Sequence, residues 1–199
     1  MAKRVDHEQR KREIAEKAMR LFSQVGYDNV SLIMIAAAAG VSRTALYQYF
    51  CSKREVLDAA IGQVIEEIRV RCADILTGKG TCVEKLEGIC HSVTDVMFEH
   101  KEFLIAVFDF VTAMVRTGAD MNASIHTFTT GTRDAIRLLI EHGKTRGEFA
   151  PVLDPDRAGD ILYSQFESCA MRIALGNEGS PKTARQRFTD IIKAISAWR

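Results

Sequence analysis

The sequence predicts an all-α chain, and three observations carry that reading. Its 199 residues include only three prolines and few glycine clusters. The apolar–polar alternation that a half-buried strand needs is almost absent. Apolar residues instead recur every three or four positions in segment after segment, the spacing that aligns one face of a helix. About nine helices follow.

The first spans His7 to Val25, where Ile14, Ala18, Leu21, Phe22 and Val25 form one stripe. Gly26 ends it, and Tyr27 is expected to pack against what comes next. A second helix starts at Ser31 and runs through Ile35 and Ala36. Gly40 then turns the chain without the cost that a side chain would carry at positive φ. Val41 anchors the turn, and Ser42 caps a third helix, Arg43 to Tyr49. The small side chains of Ala36 and Ala39 let the pair cross closely, as a helix-turn-helix requires. Because two short helices cannot bury a core, the first helix is the third member of a three-helix head. Phe50 is expected in its core. The third helix offers Arg43, Thr44, Tyr47, Gln48 and Tyr49 outward, donors and rings suited to phosphates and to base edges in a major groove.

Ser52, with Glu55 three residues on, reads as a capping box opening the fourth helix. Its stripe, from Val56 and Leu57 to Ile75 and Leu76, lasts about six turns at the 3.6-residue period. No spacer rich in Pro, Gly or Ser separates head from body, so this helix is a mechanical connection. The break comes at Thr77-Gly78-Lys79-Gly80. A fifth helix carries Val83, Leu86, Ile89, Cys90, Val93, Val96 and Met97. The sixth, Phe103 to Val115, is almost wholly apolar and is expected to be buried on nearly every side. The seventh carries Ile125, Phe128, Ile136, Leu139 and Ile140 and stops near Gly147. Asp154 followed by Pro155, and Ser180 followed by Pro181, open the last two. Their stripes run from Ala158 through Phe166 to Ile173, and from Ala184 through Phe188 to Trp198.

The net charge of +1 hides an asymmetry. Residues 1–55 hold ten basic and six acidic side chains, leaving a mildly acidic remainder, as expected of a nucleic-acid-binding module attached to something else. The N-terminal stretch MAKRVDHEQRKRE has no apolar core and is no secretory signal. Phe103 to Val115 falls short of the ~20 residues that span a bilayer, so a cytoplasmic protein without membrane contact is expected. Five scattered cysteines without a Cys-x-x-Cys pair suggest neither disulfide framework nor zinc site.

Ser31, Ile35-Ala36, Ala39-Gly40-Val41-Ser42, Tyr47, Tyr49-Phe50, Lys53 and Val56-Leu57 stand at spacings that resemble the N-terminal signature of the tetracycline-repressor (TetR-type) family of transcriptional regulators. The match extends upstream through Ala18, Leu21-Phe22 and Gly26-Tyr27, covering the first quarter to third of the chain. Ile33 and Met34 depart from it, standing where the family more often has polar or acidic residues, as does Cys51, in a position usually small or polar. The resemblance implies a ligand-responsive repressor with a DNA-binding domain at residues 1–53 and a helical effector-binding and dimerisation domain at residues 54–199. It implies a homodimer formed through the two C-terminal helices on a palindromic operator in double-stranded DNA. Tyr47, Tyr49 and Lys53 resemble the family's backbone contacts; Arg43, Thr44 and Gln48 suit base edges. Ser31 and Ser42 complete the candidate set. Effector binding is expected to act through the fourth helix on the spacing of the two heads.

A hydrophobic effector would need an apolar cavity with a few polar groups. His91, Met97, Phe103, Val107, Phe108, Asp109, Phe128, Tyr163 and Phe166 are the candidates, with plain core packing the competing account of each apolar member. Histidine spacings match no metal-ligand pattern, so neither metal nor cofactor is expected. No nucleophile–base pair suggests an enzyme. An architectural or effector-independent DNA-binding protein is the alternative reading; a helical enzyme or metal-binding protein is a more distant one.

Overall fold

The computed structural model describes residues 2–118 and 123–196. Every regular element among them is an α-helix: α1 (Ala2–Val25), α2 (Leu32–Ala39), α3 (Arg43–Leu46), α4 (Lys53–Thr77), α5 (Cys82–Glu99), α6 (Lys101–Thr117), α7 (Ala123–Thr145), α8 (Pro155–Ala174) and α9 (Pro181–Ser196). They fall into two compact units, residues 1–65 with 102–125, and residues 66–101 with 126–199.

The first unit is built on Ile14, Phe22, Ile35, Leu46, Phe50, Leu57 and Ile61, all withdrawn from solvent. Its core is not supplied by α1 to α4 alone, because Ala106 and Phe110 of α6 are buried in it as well. The expectation of all-round burial for α6 is corrected. Leu104, Ala106, Phe110 and Ala113 are buried, whereas Asp109 and Thr112 are exposed and Val115 is 76% exposed. A helix laid on one core covers one stripe, however apolar its other faces are.

Two local expectations also shift. The third helix leaves α geometry after Leu46: Gln48 N donates to Ala45 O at 3.1 Å and Tyr49 N to Leu46 O at 2.9 Å, three-residue bonds of a tighter turn. That tightening accompanies the burial of Phe50. At the start of α4, Ser52 Oγ accepts from Glu55 N at 3.1 Å, but the Glu55 carboxylate reaches back to Cys51 N at 2.8 Å. The reciprocal bond of the expected capping box therefore falls one residue early.

In the second unit α5 lies against α8 and α9. Leu86, Cys90, Ile136, Ile140, Leu162, Phe166, Phe188 and Ile192 form the core, and α4 adds Ile68, Cys72 and Ile75 at its edge. Asp154 and Ser180 cap α8 and α9 as expected, accepting from Arg157 N at 3.3 Å and Thr183 N at 3.2 Å. A full capping box at Thr81 and Glu84, unremarked in the sequence, opens α5. Trp198 lies outside the described residues.

Candidate nucleic-acid interface

The helix-turn-helix is assembled by its caps. Ser31 is extended (φ −112°, ψ 159°) and its Oγ accepts from Met34 N at 3.3 Å, opening α2. Gly40 ends α2 in the left-handed region (φ +68°), which lets Gly40 N reach Ala37 O at 3.1 Å and Val41 N reach Ala36 O at 3.0 Å. Ser42 Oγ then accepts from Ala45 N at 3.1 Å. Each serine keeps its hydroxyl proton, the group that can still donate to a phosphate.

Burial of Leu46 and Phe50 fixes which side of α3 and its following turn faces outward. Arg43, Thr44, Tyr47 and Gln48 are exposed together. Arg43 lies with its guanidinium 5.7 Å from the Tyr47 ring centroid and Nη2 3.4 Å from the Tyr47 hydroxyl, so the pair forms one surface with donors at its edge. Tyr49 is half-buried and stacked on His7 of α1, centroids 4.6 Å apart.

Lys53 is more committed than its sequence position suggests. Its ammonium donates to Tyr27 O at 2.7 Å and Asp28 O at 3.1 Å and lies 4.4 Å from the Tyr27 ring. One of its three N–H donors is left for another partner. Burial pushes the Tyr27 phenol up from its ordinary range.

Sequence reasoning missed how α1 crosses the motif. Arg10 reaches Ala39 O at 3.4 Å and Glu13 at 2.7 Å, and Lys11 Nζ lies 5.3 Å from the Phe50 ring. The only signal was the basic run Arg10-Lys11-Arg12, of which Arg12 is exposed. Ile33, 60% exposed, gives α2 an apolar outer face with Ala37 and Ala38.

The pocket candidates fall in both units. In the first, Phe103 and Val107 are half-buried against the core, Phe108 is half-buried, and Asp109 Oδ2 accepts from Tyr27 N at 2.6 Å. In the second, His91 Nε2 lies 3.0 Å from Thr189 Oγ1, and the Tyr163 hydroxyl donates to Thr129 at 2.9 Å. Met97 packs at the edge of that core, and Phe166 tilts against Phe188, centroids 4.5 Å apart. The side chain of Phe128 lies outside the described residues.

Folding also gathers a cluster that no spacing revealed. Ligand-type atoms of Glu67, Glu99 and His100 lie within 4.8 Å of one another. Arg71 occupies the cluster, bonded to Glu67 and, at 2.6 and 3.1 Å, to Glu99. Its guanidinium already neutralises the negative charge that these carboxylates would otherwise offer a cation.

Residues 14–60 match the family model described as bacterial regulatory proteins, tetR family. The HTH-type transcriptional regulator PksA of Bacillus subtilis (strain 168) is 30% identical over 176 residues, which cover 88% of this chain and 83% of PksA. Two solved structures share the fold at lower identity. The ketosteroid transcriptional regulator KstR2 of Mycobacterium tuberculosis has a TM-score of 0.74 and 19% identity, covering 94% of this chain and 95% of that one. The fatty acid degradation regulator FadR from Bacillus halodurans has a TM-score of 0.77 and 17% identity, covering 92% and 93%.

Proposed function

The chain belongs to the tetR family of bacterial regulatory proteins and is a DNA-binding transcriptional regulator; from that premise we propose that it works as a homodimeric, ligand-released repressor in the cytoplasm. Residues 1–53 carry the DNA-reading function and residues 54–199 the effector-binding and dimerising one. The observation that carries the reading is the joint exposure of Arg43, Thr44, Tyr47 and Gln48 on a turn whose inner side chains, Leu46 and Phe50, are locked in a core. Arg43 and Gln48 have the donor geometry for base edges, guanine and adenine respectively. Thr44 can serve either role. Tyr47, Tyr49, the free donor of Lys53 and the hydroxyl protons of Ser31 and Ser42 hold phosphates, which fix register without reading sequence.

Dimerisation is supported by α8. Ile161, Ser164, Ser168, Met171 and Leu175 are all exposed and follow one another at steps of three and four residues, a continuous seam for a second copy. A two-fold dimer reads a palindrome with recognition elements ~34 Å apart. The effector we propose is a small hydrophobic molecule, the chemical class that ketosteroid and fatty acid regulators of this fold are named for. It would act by preferring an arrangement of α4 that does not fit the operator, a coupling on the usual scale of ~1–3 kcal/mol.

The test begins by selecting duplexes from a random-sequence pool with the wild-type protein. Arg43→Ala and Gln48→Ala should each weaken the selected duplex by about 1–3 kcal/mol and relax preference at one position of each half-site. A folded double variant with undiminished affinity and unchanged preference would remove the base-reading assignment. Failure of the wild type to enrich any duplex would remove the function itself.

A further inference from the structure

Tyr27 lies in the turn between α1 and α2, and both of its backbone polar groups are taken by charged side chains of the first unit. Its N–H donates to Asp109 Oδ2 at 2.6 Å, and its carbonyl accepts from Lys53 Nζ at 2.7 Å. An anion from α6 and a cation from α4 thus grip the same residue by its amide and its carbonyl. The neighbourhood leaves little slack. Gly26 sits at φ +85°, a backbone conformation that a residue with a side chain rarely adopts. The Tyr27 ring is stacked on Phe22 at 5.7 Å and meets Phe110 edge-on at 4.9 Å.

Asp109 is held to the turn by a side-chain bond from a distant helix. It is exposed, and it adds negative charge to the compact unit that carries the proposed DNA-reading face, whose partner is a polyanion. Its bond goes to main chain, so it orients the segment itself. We propose that Asp109 is a positioning residue for operator binding: by holding the Tyr27 amide it fixes the turn from which α2 departs, and with it the angle at which α2 and α3 meet DNA. The inference rests on the reading that the face of Arg43 and Gln48 enters a groove.

The two accounts of Asp109 differ in sign. If it acts only through its charge, Asp109→Ala removes a repulsion and tightens DNA binding. If it positions the turn, the same change loosens binding to the duplex selected by the full-length wild-type protein, by roughly three- to tenfold, the scale of one hydrogen bond. Binding to poly(dI-dC) stays equal or tightens. Asp109→Asn keeps a carbonyl oxygen acceptor and restores the wild-type affinity for the selected duplex. Hydrogen exchange at the Tyr27 amide reports the contact itself, quickening in Asp109→Ala and staying slow in Asp109→Asn. Should Asp109→Ala not fold, as judged by circular dichroism, Asp109→Ser, too short to span to the amide, takes its place with the same outcomes. Undiminished or tighter binding of the selected duplex by a folded variant whose Tyr27 amide has lost its protection overturns the proposal while leaving the DNA-reading function intact. A wild type that selects no duplex overturns both.

Discussion

One added methyl group measures how fully the second unit is packed. Gly143 lies within α7, where alanine would ordinarily favour the helix by about 1 kcal/mol. A Cβ there would stand 2.5 Å from Phe149 Cδ2 and 3.0 Å from Cys82 Cβ, and both residues are buried. Overpacking therefore outweighs propensity. Gly143→Ala is expected to cost about 1–3 kcal/mol, read as a lower urea midpoint at unchanged slope. A raised midpoint would mean that the Phe149 ring swings aside freely. Single residues also mark where sequence reading stops. Lys53 could be placed beside the motif by its position, but its attachment to the carbonyls of Tyr27 and Asp28 joins segments far apart in the chain.

Helix ends show the same division between local and distant causes. Ser31, Ser42, Asp154 with Pro155, and Ser180 with Pro181 act on amides two or three residues away, so the starts of α2, α3, α8 and α9 were legible. The outward face of α3 was legible for a related reason, since Leu46 and Phe50 have no alternative to the core. The early tightening after Leu46, the one-sided burial of α6 and the stacking of His7 on Tyr49 depend on what packs alongside, and sequence periodicity does not carry that. Nor did it carry the clamp that joins α8 to α9. Glu178 has a side chain with no solvent exposure, bonded to Arg187 at 2.6 and 2.9 Å and facing Arg172 at 3.1 Å. The Arg187 hydrogen bond, foremost, holds its carboxyl below the usual range against the opposing effect of burial. A carboxylate depressed in the folded state stabilises the fold above its unfolded value, about 4.3, and that contribution fades as pH falls through the lower folded value. Glu178→Gln should thus be less stable at pH 7 by about 1.5–3 kcal/mol. The gap to wild type should close as thermal melts are taken from pH 5 toward pH 3, and a gap that stays constant would show that the charge of Glu178 contributes nothing.

At the scale of the whole molecule, the proposed seam on α8 gives a prediction that leaves the fold alone. Ile161 is 56% exposed and Leu175 65% exposed, so charging them disturbs no core of the single chain. Ile161→Glu with Leu175→Glu should sediment as a folded monomer and bind the selected duplex far more weakly, because one head holds one half-site. A variant that stays dimeric would move the interface elsewhere. No helix among the described residues is long and apolar enough to cross a membrane.

The closure of the first core by Ala106 and Phe110 has a consequence in time. A ribosome makes every residue proposed to contact DNA before it makes α6. During that interval the nascent head shows water an unfinished oily surface, the kind that chaperones recognise. Completion of the head thus waits on a segment that carries none of the residues proposed to contact DNA.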